Sequence, residues 1–94
     1  MITRIVKIKI KPACKDEFRK YIPSFICEAR AFKNNHHADC FSDLDEQNNF
    51  HIYTIWKTEG ALNKFLKSDL NVSFKNKIVD WQSDPFSAWT VETI

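Results

Sequence analysis

The sequence predicts an α+β chain on the ferredoxin-like plan, β-α-β-β-α-β, with an antiparallel four-stranded sheet and both helices on one face. Three observations lead there. Ile2 to Ile10 alternates apolar and polar residues, the period of a strand with one buried face. Phe18, Tyr21, Ile22, Phe25, Ile26 and Ala29 recur at three- and four-residue spacings, the period of an amphipathic helix. Phe50 to Lys57 is rich in aromatic and β-branched residues and breaks at Thr58 directly into a second helical pattern.

Each element follows from its residues. In the first strand Ile2, Val6, Ile8 and Ile10 point one way, with Arg4 among them, while Lys7 and Lys9 point the other. Lys11-Pro12 closes it, because proline has no N–H to give to a ladder. The first helix is expected over Asp16 to Phe32, with Asp16 and Glu17 in the first turn, where they suit the helix dipole. Pro23 lies inside it and predicts a kink. Asn34-Asn35 can stop the helix by adopting a left-handed conformation. Ala38 to Leu44 reads as a short strand, and Asp45 to Asn49 as a polar turn too long for a two-residue hairpin.

The third strand carries bulk on both faces: Phe50, Ile52 and Trp56 on one, Tyr53 and Ile55 on the other. Such a strand wants cover on both sides. Thr58 is placed to cap the next helix, with Ala61, Leu62, Phe65 and Leu66 on its inner side. Asp69 is placed to cap a further helical piece through Phe74, Ile78, Val79 and Trp81. Ser83-Asp84-Pro85 is a break, and Phe86 to Ile94 alternates again as a last strand. Helices on one sheet face leave the other open, so a two-fold homodimer, sheet against sheet, is expected.

The composition narrows the function. Ninety-four residues suit one domain, 1–94, with one modest core. Eight Phe, three Trp and two Tyr are more bulky surface than so short a chain buries alone, so part is expected to meet a ligand or a second copy. The net charge of +2 comes without any run of like charges, and this argues against nucleic acid as a partner. One glycine excludes a glycine-rich phosphate loop. Cys14, Cys27 and Cys40 are odd in number and lack metal spacing, so buried free thiols and no metal are expected. The alternating N-terminus is unlike a signal peptide, and no apolar run approaches membrane-spanning length. A cytoplasmic location and no membrane partner are the expectation.

One class of binder shares this element order. RNA-recognition motifs stack bases on aromatics of strands one and three. Asn49 to Trp56 is aromatic enough, but Ile2 to Ile10 has no aromatic, and the Lys/Arg-Gly-aromatic signature is absent.

The strand-three-to-helix junction, with Trp56, Ala61-Leu62, Leu66, Ser68 and Phe74, resembles the middle signature of the antibiotic biosynthesis monooxygenase family. Lys11-Pro12 before Lys15-Asp16-Glu17-Phe18 is similar to that family's opening, and Asp43 through Phe50 to its acidic turn. The resemblance implies a dimeric α+β barrel with an oxidising pocket beneath the second helix. It also implies a cofactor-independent monooxygenase, with cofactors none, acting on a small aromatic or quinol-like (quinone-like) ligand. In that chemistry a phenol loses a proton, its anion reacts with dioxygen, and a dry aromatic cavity stabilises the charge that forms. The implied pocket residues are Val6, Tyr21, Phe25, Trp56, Phe65, Phe74 and Trp81.

Three positions depart from the family pattern. Thr54 stands where Glu is common, Phe65 where His is common, and Leu70 where another His often falls. The local match is closer to the heme-degrading branch. Its strand-one Asn, helix-two Trp and downstream His correspond to Val6, Phe65 and Lys75. With no histidine at Lys75 there is no evident axial iron ligand, so heme degradation ranks below generic membership. The missing polar groups leave a non-catalytic small-ligand-binding or regulatory dimer as the alternative.

The polar groups that remain are few, and Arg4, His51 and Tyr53 are the catalytic candidates. Arg4 interrupts an apolar strand face, so it either enters the pocket or reaches solvent from the strand's frayed start. His51 is the better placed histidine, because adjacent His36 and His37 cannot both face one site and read as exposed loop residues. Phe65 is expected on the cavity wall, where shortening it would cost less than shortening Phe25 in the core.

Overall fold

Four antiparallel strands lie in the spatial order β2-β3-β1-β4 in the computed structural model, which describes residues 1–94. The elements are β1 (Ile2–Lys9), a 3-10 turn (Pro12–Cys14), α1 (Lys15–Arg30), β2 (Asn35–Ser42), β3 (Asn49–Trp56), α2 (Glu59–Lys67), α3 (Asp69–Ile78) and β4 (Ser87–Glu92). This is the ferredoxin-like plan with the second helix in two pieces. β1 pairs with both β3 and β4, so the first strand in sequence is central in space.

The alternation read in β1 and β3 becomes two distinct faces. Phe50, Ile52, Thr54 and Trp56 are buried beneath the helices, while the intervening β3 residues are only partly covered. Ile8, Ile10, Phe18, Phe25, Leu62, Phe65, Phe74 and Ile78 join them in one continuous core. The register sets Arg4 opposite Thr54 on one side and Thr90 on the other.

The helix ends follow local chemistry. α1 begins one residue before Asp16 and ends at Arg30, two residues short of the expected Phe32. It continues through Pro23, whose ring lies on the exposed side. Asn34, at φ 65°, supplies the left-handed residue that turns the chain into β2. The Thr58 hydroxyl caps α2 by accepting from the Ala61 N–H at 3.1 Å.

The cap of α3 differs from expectation. Ser68, not Asp69, is the N-cap, accepting from the Asn71 N–H at 3.3 Å, and it also donates to the Phe65 carbonyl at 2.6 Å. One hydroxyl thus serves the end of α2 and the start of α3. α3 stops at Ile78; Val79 is exposed and Trp81 lies in the following turn.

β2 starts three residues before the expected Ala38, so His36 and His37 are exposed strand residues rather than loop residues. A register shift between Asn35 and His37 bends this edge, and Arg30 clamps it by donating to the Ala38 carbonyl and to Asp39, both at 2.9 Å. β4 is shorter than expected and ends at Glu92.

The open face of the sheet is apolar in its middle. Ile5 lies opposite Tyr53 on one side and Trp89 on the other. Phe41 packs edge-on to Tyr53 with centroids 5.7 Å apart, and Trp89 and Val91 are each 44% exposed. No helix is long and apolar enough to cross a membrane.

Candidate functional site

A small cavity lies between the sheet and the paired helices α2 and α3. Its inner chamber has a volume of about 30 Å³ and is walled by Val6, Phe25, Ile52, Phe65, Leu66 and Phe74, with Arg4, Thr54 and Asn71 supplying the polar atoms. It continues into a mouth of about 110 Å³ that adds Lys75 and Phe86 to Arg4, Val6, Leu66, Asn71 and Phe74. A chamber of that size holds about two waters and is too small for an aromatic ring.

The floor of this cavity is polar at one row of the sheet. Arg4, Thr54 and Thr90 stand side by side on three adjacent strands. Arg4 Nη1 donates to Thr90 Oγ1 at 3.1 Å. Arg4 Nε and Thr54 Oγ1 are both buried and have no hydrogen-bond partner. Each such orphan costs on the order of 1–3 kcal/mol, more for a charged group, unless something else satisfies it. Asn71 is held for a local reason: its amide donates to the Leu66 carbonyl at 3.1 Å across the α2–α3 junction.

The predicted pocket residues divide. Val6, Phe25, Phe65 and Phe74 line the inner chamber. Tyr21, Trp56 and Trp81 do not. Trp56 is fully buried against Phe32 and Phe65, at centroid distances of 6.4 and 4.9 Å. Tyr21 packs on Phe74 and Trp81 along the outer side of the aromatic cluster, at 6.3 and 5.8 Å. Burial, with help from the Glu28 charge, raises the Tyr21 hydroxyl pKa, which keeps it protonated.

The catalytic candidates also divide. Arg4 enters the cavity. His51 and Tyr53 share strand β3 with Thr54 but alternate to the opposite face, and neither lines the cavity. His51 Nε2 lies instead 2.8 Å from Asp43 Oδ1 in the turn that closes the β2–β3 hairpin. The structure therefore does not bring Arg4, His51 and Tyr53 together.

Ile52, Leu66, Asn71 and Phe86 escaped sequence reasoning as lining residues. Ile52 was legible from the β3 alternation, which gives it the face of Thr54. Asn71 carried no local signal, because its burial depends on the break between α2 and α3.

None of the three cysteines lines the cavity. All three are unpaired; Cys27 is exposed, contrary to the expected burial, because it lies on the outer side of α1. Cys40 has its pKa pushed up to about 12, by burial above all, with Arg19 opposing and Asp39 adding to the rise. No group of three or more His, Cys, Asp or Glu side chains is placed to hold a metal ion.

Comparison with known proteins bears on the family and the fold. The sequence model of the family described as "Antibiotic biosynthesis monooxygenase" matches residues 1–76. A Bacillus subtilis (strain 168) protein named "Putative monooxygenase YcnE" is 34% identical over 62 residues, covering 66% of this chain and 65% of that relative's length. Among solved structures, "Putative antibiotic biosynthesis monooxygenase from Nitrosomonas europaea" superposes with a TM-score of 0.93 at 16% identity, over 100% of this chain and 99% of that one. A conserved protein from Methanosarcina mazei Go1 superposes with a TM-score of 0.92 at 19% identity, over 100% and 94% of the two chains. At such identities the structural likeness speaks for the fold, and the match over residues 1–76 decides the family. The chain belongs to the antibiotic biosynthesis monooxygenase family.

Proposed function

We propose that this protein is a cofactor-independent monooxygenase that oxidises a small aromatic or quinol-like molecule in the cavity between the sheet and helices α2 and α3. The observation that carries the reading is a mostly apolar cavity between the sheet and helices α2 and α3, with Arg4 and Thr54 of the sheet among its lining residues. Oxyanion stabilisation asks for fixed donors aimed where charge develops, in a site that excludes water. Arg4 and Thr54 on the sheet are the donors on offer, and the apolar side chains around them limit the entry of water.

The reaction balances without a resident oxidant or metal. A ring CH2 activated by a ring carbonyl gives up one proton, and the resulting enolate carbon transfers electrons to dioxygen, forms a carbon–oxygen bond and, on taking up a proton, becomes a hydroperoxide. Its O–O bond breaks as the remaining C–H hydrogen leaves as a proton, so one oxygen stays as the carbonyl and the other departs as water. No carboxylate or imidazole lines the cavity to take the first proton, so it passes to solvent through the mouth.

The apolar stripe of Ile5, Phe41, Tyr53, Trp89 and Val91 on the open sheet face supports a homodimer, sheet against sheet. Three unpaired cysteines suit a reducing cytoplasm. The lack of an acid or base on the cavity wall also favours a second reading, a ligand-binding or regulatory dimer that does no chemistry.

Incubation with anthrone and naphthoquinol substrates under ¹⁸O₂ decides between them. Monooxygenation places one labelled oxygen in the product faster than the uncatalysed reaction does. No rate above background with any substrate, while a ligand still binds, leaves the non-catalytic reading.

A further inference from the structure

We infer that Asn71 sets the specificity of the cavity: its side-chain carbonyl selects a ligand that brings a hydrogen-bond donor, an O–H or an N–H, to the wall formed by α3. This deepens the reading of the cavity as the substrate site and rests on it.

The orientation of the Asn71 amide is fixed by its neighbours. Asn71 lies in the first turn of α3, just past the break at Ser68. Its amide nitrogen donates to the Leu66 carbonyl at 3.1 Å. A backbone carbonyl only accepts, so the nitrogen faces Leu66 and the oxygen faces away.

That oxygen has no donor. No N–H or O–H of the protein bonds to Asn71 Oδ1, although the residue is only 6% exposed. Arg4 Nε and Thr54 Oγ1 are sealed from water, whereas Asn71 Oδ1 stays open to it. Asn71 lines both the inner chamber and the mouth, so the space this oxygen meets is the cavity. A buried carbonyl without a partner is costly until water or a ligand supplies one. Capping the end of α2 explains the amide nitrogen and leaves the oxygen unexplained. A lysine ammonium would serve the Leu66 carbonyl and place no acceptor in the cavity.

The acceptor stands alone among the open polar side chains of the wall. Arg4 and Lys75 line the mouth and are donors only. The Thr54 hydroxyl oxygen is closed. An ether, ketone or phenolate oxygen set against Asn71 Oδ1 brings lone pairs together, whereas a hydroxyl or an N–H forms a bond. A site built around a buried acceptor discriminates against the analogue that lacks the donor.

The test is calorimetric titration of the intact protein at neutral pH with 1-naphthol, 1-naphthylamine and 1-methoxynaphthalene, all uncharged there. We expect one or both of the donors to bind at least about five-fold more tightly than the ether, the scale of one hydrogen bond. Tighter naphthol alone assigns an O–H, tighter naphthylamine alone an N–H, and both together either donor. Asn71→Leu removes the acceptor and should bring the three affinities within about two-fold of one another. Asn71→Asp gives up the bond to Leu66 but keeps an acceptor, and it should retain the preference. A purely structural role would instead weaken all three probes alike in both variants and leave their ratios unchanged.

Equal affinities for the three probes, no measurable binding of any, a preference that survives Asn71→Leu, or one that is lost in Asn71→Asp overturns the inference. If one variant does not fold by circular dichroism, the wild-type comparison and the other variant decide it. Labelled-oxygen incorporation without a donor preference sinks this inference alone. A donor preference without incorporation sinks the oxygenase reading alone.

Discussion

The ring of Phe65 on α2 packs against the indole of Trp56 at the end of β3, with centroids 4.9 Å apart and planes tilted by 35°. Phe65 also meets Phe32 edge-on at 5.2 Å and Phe25 at 6.1 Å, and only 3% of it is exposed. It touches the inner chamber, but that void is small beside its aromatic contacts. Phe65 is therefore a core residue that happens to form part of a wall.

This changes the expected cost of shortening it. Phe25 has a comparable setting, stacked on Phe74 at 4.2 Å and 2% exposed. Phe65→Ala and Phe25→Ala should each cost about 3–5 kcal/mol, rather than Phe65 costing less. Urea denaturation of the two variants measures it. A Phe65→Ala loss below about 1.5 kcal/mol would show that the site collapses or opens far more easily than these contacts allow.

Ser68 serves two helices at once, so its loss should exceed that of an ordinary cap. Thr58→Ala removes one capping bond and should cost about 1 kcal/mol. Ser68→Ala removes the bond from the Asn71 N–H and also frees the Phe65 carbonyl, and it should cost about 2 kcal/mol. Thermal unfolding of both variants ranks them, and a smaller loss at Ser68 would count against the shared-hydroxyl account.

Cys40 predicts an alkaline limit. Its thiol ionises near 9.0 when unperturbed and near about 12 in the folded chain, so the unfolded chain releases the proton first as pH rises. Stability from this group is unchanged below about pH 9 and falls between about 9 and 12. Cys40→Ala should flatten that fall. At pH 8 a disulfide reagent such as dithionitrobenzoate should label exposed Cys27 quickly and Cys40 only on unfolding. Rapid modification of Cys40 in the native protein would contradict its burial.

The open sheet face predicts assembly. Trp89 lies opposite Ile5 on that face and is 44% exposed. Sedimentation at micromolar concentration should give twice the chain mass, and Trp89→Glu should give the chain mass while keeping the far-ultraviolet spectrum. A wild-type monomer would leave the stripe without the proposed partner.

Much of the architecture was legible from period alone. Val6 and Ile8 alternate with Lys7 and Lys9, and this placed β1 and its buried face. The β3 alternation likewise set Phe50, Ile52 and Trp56 on one face and Tyr53 and Ile55 on the other, and the structure turns the first set toward the helices. Thr58 was readable as a cap because a β-region threonine before a helical run satisfies orphan N–H groups locally. The errors were local too. Asp69 and Ser68 are both good caps by type, and only the backbone break decided between them. His36 and His37 carry no apolar signal to mark the start of β2, yet Asn35 and His37 pair with β3, with His36 held between them at the register shift.

The sequence by itself determined the element order, the buried face of β1, the division of β3 into two faces, and the shortage of acids and bases for chemistry. Side-chain period and local capping encode those properties within a few residues. Tertiary structure alone decided that Arg4 enters the cavity, that His51 turns away to Asp43, and that Thr54 and Thr90 flank Arg4. Those neighbours lie 50 and 86 positions from Arg4 along the chain, and it is strand register, set by packing over the whole sheet, that brings them to one row.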